Sequence, residues 1–437
     1  MVQYLRVANV MENRIDLSDV KMMNFTPDEQ AVFLLKPGDI LLNEGQSPHL
    51  VGRPAMYRGE PTPCFFQNTL VRFRANEGVL PGWALLVFRA QMHAMRYKQF
   101  AKITTNIAHL GAERFAQVEF PLPPVTEQRA LLEAFEAHES VLDAAEQGLK
   151  RVQAKLKHAR ASVLKAAVEG RLVPTEAALA RAEGRRYEPA SALLARVLAE
   201  RRDRWSERGE RGKYKEPVAP ETEGLPELPE GWALGTVDAV CANIVDCPHS
   251  TPERVPSGRL CARTTQFRPG FLDLSEPEFV TEMTYHERIS RLKPEPGDVL
   301  YSREGGILGI ACAVPNGVEL CLGQRMMLMR ASGVIYSRYL MLVLNSSMTL
   351  SIVRRLTSGS AAPHINVRDI RAFVVPLPPL AEQARIVAEV DRRLSVLDQV
   401  EALMDRSLSR CASLRQSILK RAFEGRLVPP AAEVTPE

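Results

Sequence analysis

The residues best suited to chemistry in this chain are its seven cysteines and eight histidines, and neither set is spaced like a metal or redox site. The cysteines are scattered, and none lies in a Cys-x-x-Cys pair, which argues against a zinc site and a disulfide framework. The sequence has no GxxxxGK[ST] phosphate loop and no NPPY-like or DPPY-like tetrapeptide with a glycine-rich loop. Its acids fall mainly on expected helix exteriors, not in clusters that could bind magnesium. We therefore predict a chain that binds but does not catalyse.

Composition sets wide limits on the kind of partner. A length of 437 residues predicts two to four domains, and 45% hydrophobic with 25% charged residues is ordinary for a soluble globular protein. A net charge of +4 allows nucleic-acid binding only through local patches. The N-terminus lacks a signal-peptide pattern, and no apolar run reaches the roughly 18 residues of a membrane span. We expect a cytoplasmic protein without membrane contact.

An internal repeat organises the chain. FPLPPVTEQR at 120–129 matches VPLPPLAEQA at 375–384, and VLKAAVEGRLVP at 163–174 matches ILKRAFEGRLVP at 418–429. Both pairs have the same offset, since 375 − 120 and 418 − 163 each give 255, and His109 and His364 share it. A constant offset excludes insertions and deletions between these landmarks, although loops tolerate both. The offset therefore predicts a long rigid element between PLPP and EGRLVP in each copy.

Hydrophobic spacing indicates that this element is a helix. Apolar residues recur in steps of three and four, as in a coiled coil, and each helix should begin after PLPP and end at the glycine of EGRLVP. About 45 residues would make a rod of roughly 65 Å. The predicted seam comprises Leu142, Leu149, Val152, Leu156 and Val163 in the first copy and Leu397, Val400, Met404, Leu414 and Ile418 in the second. An intermolecular zipper is an alternative, but two copies in one chain favour an intramolecular antiparallel pair.

The segments upstream of the helices are strand-rich. KPGDILL (36–42) and EPGDVLY (295–301) each combine a turn with a β-prone run. The predicted fold class is α/β, with two mixed α/β globular domains separated by two long antiparallel coiled-coil helices. The expected divisions are 1–122 (first domain), 123–174 (first helix), 175–227 (helical and polar linker), 228–377 (second domain), 378–430 (second helix) and 431–437 (tail).

These motifs together resemble the specificity subunits of type I restriction–modification systems. PLPPxxEQ followed by a long helix ending in EGRLVP is similar to that family's helical regions, and EPASALLARVLAERR, GKYKEP and LPELPEGW resemble its central segment. The resemblance implies that each globular domain, as a target-recognition domain, reads half of a bipartite site in double-stranded DNA. The helices would set the spacer and dock two modification subunits, which restriction subunits would join. The chain itself would bind no cofactor, and its partners would use S-adenosylmethionine, ATP and Mg²⁺.

The first module is shorter than the second at its start. The second opens with LPEGW at Leu228, about 35 residues before Arg263, whereas YLRVANV near Met1 aligns with CARTTQF at 261–267. The first domain is therefore expected to lack an opening strand region. Either the true start lies upstream, or this copy is truncated, and the chain would then be a truncated or orphan, inactive specificity subunit. A coiled-coil scaffold that binds proteins is a separate alternative.

Candidate DNA contacts are polar side chains in the strand-rich segments, because base edges are read by such groups. In the first domain they are Arg6, Asn9, Asn43, Gln46, Lys102, Thr104, Thr105 and Asn106, and in the second Arg263, Thr265, Gln266, Arg303, Arg354, Arg355, Ser358 and Ser360. Glu127-Gln128 and Glu382-Gln383, in the first helical turns, could either cap the helix or contact a partner.

Overall fold

The computed structural model of the chain describes residues 1–104, 106–207, 213–224, 227–359, 363–424 and 426–427. These residues form two compact units. Unit 1 comprises Met1–Val152 with the described part of Leu403–Glu437, and unit 2 comprises Gln153–Ala402. The boundaries fall inside two long helices. Each unit therefore combines one strand-rich region with part of both helices.

Unit 1 is built from short strands, three helices of its own and part of each of the two long helices. Its strands are β1 (Val2–Leu5), β2 (Val10–Met11), β3 (Arg14–Ile15), β4 (Lys21–Met23), β5 (Ile40–Asn43), β6 (Gly45–Gln46), β7 (Pro54–Met56), β8 (Cys64–Phe66), β9 (Leu70–Phe73), β10 (Lys102–Thr104) and β11 (Ile107–His109). Its helices are α1 (Pro27–Phe33), α2 (Pro81–His93), α3 (Ala112–Phe115) and the first part of α4 (Val125–Val168), with 3-10 turns at Val7–Asn9 and Arg96–Gln99.

Unit 2 repeats this plan with additions at its start. It contains α5 (Glu176–Glu183), α6 (Ala190–Glu207), β12 (Ala233–Thr236), α7 (Val237–Val240), β13 (Cys241–Asp246), β14 (Arg259–Ala262), a 3-10 turn (Thr264–Gln266), β15 (Phe267–Arg268), β16 (Gly270–Leu272), β17 (Phe279–Val280), α8 (Glu282–Ile289), β18 (Val299–Ser302), β19 (Ala311–Ala313), β20 (Leu320–Leu322), β21 (Met326–Ala331), α9 (Ser337–Leu344), α10 (Ser347–Thr357), α11 (Val367–Arg371), β22 (Val374–Leu377) and the first part of α12 (Leu380–Phe423).

The strand pairings of the two units match. In unit 1, β1 lies between antiparallel β4 and parallel β8, and in unit 2, β14 lies between antiparallel β17 and parallel β20. Likewise β5 pairs with β7 and β9, as β18 pairs with β19 and β21, and all four pairings are antiparallel. The same order and sense of strands in both units confirm the predicted α/β class with an internal repeat.

The Pro-Gly-Asp turns before β5 and β18 make the same contacts in both units. The carboxylate of Asp39 accepts the backbone N–H of Lys36 at 2.8 Å and holds the guanidinium of Arg74 with two contacts of 2.6 Å. Asp298 accepts the N–H of Glu295 at 2.9 Å and holds Arg330 at 2.8 and 2.9 Å. The repeated motif thus ties a turn to the neighbouring strand.

The long helices begin and end where the motifs predict. Each has 44 residues; α4 starts directly after Pro124 and α12 directly after Pro379, because proline fixes φ and lacks the N–H that a helix interior needs. Gly170, just beyond α4, has φ +69°, the left-handed conformation that ends helices. Its counterpart Gly425 lies outside the described residues, but the N–H of Arg426 bonds the carbonyl of Arg421 as that of Arg171 bonds Ala166.

Within each unit the two helices run antiparallel. In unit 1, Leu131 and Phe135 of α4 share a core with Leu419 and Ala422 of α12. Farther along α4, Glu139 and Glu146 reach back to Arg415 at 2.7 and 3.2 Å. In unit 2, Val163 and Ala167 share a core with Ile386 and Val390, and Arg160 bonds Glu401 at 2.7 Å. As numbers rise along α4, those of its partners on α12 fall.

The predicted seam is half right. Leu142, Leu156, Val163 and Met404 are buried, and Leu149, Leu397, Val400 and Ile418 are half-buried. The prediction is wrong for Val152 and Leu414, which are each 42% exposed. One row of contact residues on each helix lies one residue later than the spacing predicted. This row comprises 146, 153, 160 and 167 on α4 and 401, 408, 415 and 422 on α12, and most of these residues are polar. Ion pairs between the two helices accommodate these polar side chains. Hydrophobic spacing alone therefore predicted the adjacent apolar positions in their place.

The ion pairs themselves repeat. Arg160 contacts Asp398 and Glu401 in unit 2, and Arg415 contacts Asp143 and Glu146 in unit 1. The arginines are 255 positions apart, and so are both pairs of acids. The same clamp therefore sets the register of the antiparallel helices in each unit.

Unit 2 carries an opening segment that has no counterpart among the described residues of unit 1. In unit 2, β12 pairs antiparallel with β22 and β13 pairs antiparallel with β21. In unit 1, β9 is an edge strand, and no strand is assigned at 119–122, the positions equivalent to β22. These are the strands that the sequence comparison found missing from the first module.

The first part of the expected linker belongs to unit 2. Leu193 and Val197 of α6 are buried in the same core as Trp232 and Val240. The guanidinium of Arg201 also donates to the carbonyl of Asp238 at 2.8 Å. Helix α6 is therefore packed on the strand-rich part of unit 2 that follows it.

Candidate nucleic-acid interface

In unit 1, the most exposed polar element among the predicted contacts is the β10–β11 hairpin. β10 pairs with β11, which pairs in turn with β6, the short strand that follows β5. Lys102, Thr104 and Asn106 are all exposed on this hairpin, together with Ile103 (44%) and Ile107 (49%). Thr105, between them, lies outside the described residues. Donors and apolar side chains projecting from a two-stranded ribbon suit the major groove of DNA.

His109 and His364 occupy the same place in the two units. His109 lies opposite Gly45 in the β11–β6 pairing, and His364 forms the equivalent bridge opposite Glu304. Both residues are exposed. The structure thus brings the late segment of each module beside the residues that follow its central strand, β5 or β18.

The predicted basic contacts of unit 2 lie at the end of α10. Arg354 and Arg355 are exposed in the last turns of α10, and Ser358 follows in an exposed turn. Ser360 lies outside the described residues. The N–H of Gly305 donates to the carbonyl of Pro363 at 3.2 Å, and that of Ile365 donates to the carbonyl of Arg303 at 2.9 Å. These bonds fix the position of 363–365.

Two predicted contacts are structural amides. Asn9 is buried and donates to the carbonyls of Asp16 and Asp19 at 2.9 and 3.1 Å, while its own Oδ1 accepts the N–H of Arg6. Gln266 is buried at the matching position; it donates to Glu276 at 2.9 Å and accepts the N–H of Arg263. These amides are already bonded to a 3-10 turn and a loop. The prediction that they contact DNA bases is therefore corrected.

Arg6 and Arg263 also correspond and are half-buried. Arg6 pairs with Asp19 at 2.9 Å, and Arg263 pairs with Glu278. Each guanidinium is therefore already engaged by a carboxylate at the side of the 3-10 turn. Thr265, next to this turn, is exposed and stays a candidate contact.

Arg303 and Asn43 are likewise interior residues. Arg303 is buried, holds Asp246 with two contacts of 2.9 and 3.0 Å and contacts Glu304 at 2.8 Å. Asn43, the last residue of β5, is fully buried. Neither side chain is presented to a groove, and both predictions are corrected. Gln46 is half-buried and accepts the N–H of Ser47 through its own Oε1 at 3.2 Å.

The structure adds residues that sequence reasoning missed. The turn between β20 and β21 carries Gln324 and the exposed Arg325, whose φ of +66° is unusual for a residue with a side chain. The carbonyl of Arg325 accepts the N–H of Arg303 at 3.0 Å, and Gln324 bonds Thr251 in the loop after β13. His249 is also exposed in that loop. Polar residues between two apolar runs, LCL and MMLMRA, were the available signal.

We call the assembled surface of unit 2 the recognition edge. It is formed by the loops 246–251, 303–305 and 323–325 together with Pro363 and His364, and the contacts above join each loop to another. Its counterpart in unit 1 is formed by 44–46 and the β10–β11 hairpin. Each edge gathers segments that are far apart in sequence.

The Glu-Gln pairs after PLPP have an internal role. Gln128 is buried; its Oε1 accepts the N–H of Leu80 at 2.9 Å, and its Nε2 donates to Gly78 and Pro123, each at 2.8 Å. Gln383 makes the same bonds to Tyr336, Val334 and Pro378. The glutamine therefore joins each long helix to the N-terminus of an earlier helix, α2 in unit 1 and α9 in unit 2.

Other kinds of site were sought in the described parts of the chain. There, no three histidine, cysteine or acidic side chains are grouped so that they could hold a metal ion. None of the described helices has the length and apolarity to cross a membrane. All seven cysteines are buried as free thiols.

Comparison with known proteins points to one family. The model of the type I restriction modification DNA specificity domain matches residues 279–403. The EcoKI specificity subunit of Escherichia coli (strain K12) is 23% identical over 432 residues, covering 97% of this chain and 82% of that protein. The StySPI specificity subunit of Salmonella potsdam is 22% identical, again over 97% and 82%.

A solved structure has the same fold. It comes from work on complex assembly and conformational transition of the type I R-M system, and it aligns with a TM-score of 0.62 and 17% identity over 97% of this chain and 92% of that one. The family model covers 279–403, and the relatives and the fold match over nearly the whole length. The chain is similar to the type I restriction–modification specificity subunits.

Proposed function

We propose that this chain recognises a bipartite sequence in double-stranded DNA, with unit 1 reading one half and unit 2 the other. The observation that carries the proposal is the repeated edge. The same pairing, Gly45 with His109 and Glu304 with His364, places exposed polar segments beside the central strands of both units. Two related reading surfaces in one chain suit a target of two halves.

The chain performs no chemistry in this proposal. Two modification subunits would dock on the paired helices and supply the S-adenosylmethionine site, and restriction subunits with ATP and Mg²⁺ sites would join them, all in the cytoplasm. The curated relatives are named as specificity subunits of restriction enzymes, which favours such an assembly. The same names favour DNA recognition over a scaffold that binds only proteins.

Mapping of methylated adenine in the source cell, with and without this gene, tests the proposal. We expect a motif of two specified halves around an unspecified spacer, present with the gene and lost on its deletion. Restoring the gene provides the control. Absence of any gene-dependent motif would overturn the proposal.

Binding of the purified chain to a duplex with that motif gives a second readout. The affinity should fall steeply as salt rises, because phosphate contacts release counterions. An affinity that does not change with salt would contradict direct DNA binding.

A further inference from the structure

One turn of unit 2 holds an arginine in a backbone conformation that few side chains adopt. The turn at 323–325 joins β20 to β21, and Arg325 has a φ of +66°. A residue with a Cβ adopts this left-handed conformation at a cost in free energy, whereas glycine adopts it freely. Arg325 is exposed, so no packing of its side chain accounts for the cost. Backbone strain of this kind is typical of positions that carry a function.

The backbone of the turn is bonded at both ends. The N–H of Gly323 donates to the carbonyl of Ala262 at 3.0 Å, and the carbonyl of Arg325 accepts the N–H of Arg303 at 3.0 Å. A Cβ added at Gly323 would lie 2.3 Å from the carbonyl oxygen of Ala262, so the approach of these two segments requires glycine. The turn is therefore held in one place by two other segments of the unit.

The buried Arg288 of α8 joins this turn to a second loop of the recognition edge. Its Nη1 donates to the carbonyls of Leu322 and Gly323 at 3.0 and 3.2 Å, and its Nη2 donates to the carbonyl of Ser250 at 2.6 Å. Arg288 is 4% exposed and has no carboxylate partner among the residues that the structure describes. Its guanidinium thus fixes the turn relative to the loop at 246–251.

The side chain of Arg325 is not used inside the protein. A Cβ added at Gly305 would lie 3.3 Å from Nη1 of Arg325, so the guanidinium lies over the loop 303–305. Within the described part of the chain, it forms no hydrogen bond or ion pair. Arg263 and Arg303, by contrast, are each paired with a carboxylate. Arg325 therefore presents unoccupied N–H donors at the recognition edge.

Unit 1 has the same turn with a different residue. The N–H of Gln67 donates to the carbonyl of Leu5 at 2.9 Å, and the N–H of Glu44 donates to the carbonyl of Thr69 at 3.2 Å. These two bonds match those of the turn in unit 2, so Thr69 occupies the place of Arg325. Thr69 is also exposed, but without a positive φ. A repeated backbone frame with a different exposed side chain suits two surfaces that read different sequences.

We propose that Arg325 reads a guanine in the half of the DNA target that unit 2 recognises, an assignment that rests on the proposed function. The guanidinium carries N–H donors in a planar fork, and guanine presents O6 and N7 as neighbouring acceptors in the major groove. A bidentate contact needs a fork of fixed direction, which the tethered turn supplies. Arg288 is a positioning residue that holds the turn without touching the base.

Mapping of methylated adenine in cells that carry Arg325→Gly in place of the wild-type gene tests the proposal in the complete complex. We expect the motif to accept other base pairs at one G·C position in one half and to stay unchanged in the other half. On purified duplexes, the wild type should lose at least about tenfold in affinity when that G·C pair is replaced, and the variant less than about twofold.

The same variant separates reading from folding. Because glycine adopts a positive φ without cost, Arg325→Gly should leave the melting temperature unchanged or raise it. Asn13→Gly is the matched control, because Asn13 is also exposed and has a φ of +57°, but lies in the turn between β2 and β3. It should leave the motif as the wild type has it.

The role of Arg288 has its own readout. Arg288→Met should lose discrimination at the same base pair as Arg325→Gly, although Arg325 is still present, and Arg288→Lys should recover part of it. Circular dichroism should show both variants folded. Loss at other positions, or in both halves of the motif, would overturn the positioning role.

Three results would overturn the assignment of Arg325. An identical motif with the wild type and Arg325→Gly would mean that Arg325 reads no base. Equal weakening on every duplex, with the slope of log affinity against log salt reduced by about 1, would assign Arg325 to a phosphate. Absence of a motif with the wild-type gene would overturn the proposed function and this assignment with it, whereas the first two results leave the proposed function intact.

Discussion

At the scale of single residues, the same side chain has different surroundings in the two modules. Glu382 is buried, accepting the indole of Trp232 and the backbone N–H of Glu176, whereas Glu127 at the equivalent position is exposed. Burial raises the pKa of Glu382 above its ordinary value of 4.5. Residue type and spacing identify the motif, but the neighbouring segment decides what its carboxylate does.

The raised pKa of Glu382 predicts a pH dependence. Because the pKa of Glu382 in the folded state lies above the ordinary value of 4.5, the folded state binds the carboxyl proton more tightly than the unfolded state does. The stability that the protonated group contributes is therefore full below pH 4.5 and is lost as the pH rises through the folded pKa. The free energy of unfolding of the wild type, minus that of Glu382→Gln, should therefore fall as the pH rises. Denaturant unfolding at a series of pH values checks this, with Glu127→Gln measured in parallel. A rising or flat difference would contradict the assignment.

At the scale of elements, the bounds of the long helices depend on local sequence. The faces through which the helices contact each other do not. PLPP and the glycine of EGRLVP fix where α4 begins and ends, because both act through the local backbone. The seam was misjudged at Val152 and Leu414 because Arg160, Arg415 and their acidic partners occupy part of the contact face. Hydrophobic spacing cannot identify a polar side chain whose ion pair lies on the other helix.

The corrected face makes a paired prediction. Leu156→Ala should lower the free energy of unfolding by about 2–4 kcal/mol, since its side chain is 7% exposed. Leu414→Ala should change it by less than about 0.5 kcal/mol, since Leu414 is 42% exposed. Denaturant unfolding monitored by circular dichroism measures both. Equal losses of unfolding free energy in the two variants would contradict the corrected contact face and support the seam predicted from the sequence.

At the scale of the whole molecule, the two units share a common set of strand pairings and present different surfaces. The β10–β11 hairpin of unit 1 presents Lys102, Thr104 and Asn106, whereas unit 2 presents Arg354 and Arg355 at the end of a helix. Conserved pairing under variable side chains suits two readers of different sequences.

This division predicts separable defects. Replacing Lys102, Thr104 and Asn106 by alanine should relax or lose specificity in one half of the motif, at about 1–3 kcal/mol for each lost base contact, and leave the other half intact. Arg354→Ala with Arg355→Ala should affect the other half. Competition between duplexes altered in either half measures the effect. Lys150→Ala, exposed on α4, is the control, and a uniform loss in both halves would contradict the assignment.

The sequence by itself determined the repeat, the α/β class, the two long helices and the family resemblance. Those properties follow from motif spacing, proline and glycine positions and hydrophobic period, all of which act locally. Only the tertiary structure showed that Asn9, Asn43, Gln266 and Arg303 are interior residues, and that Gln324, Arg325 and His249 share an edge with His364. Burial and neighbourhood depend on strands that pair across long sequence separations. A residue type compatible with DNA contact is equally compatible with holding a turn, and its partners decide between the two.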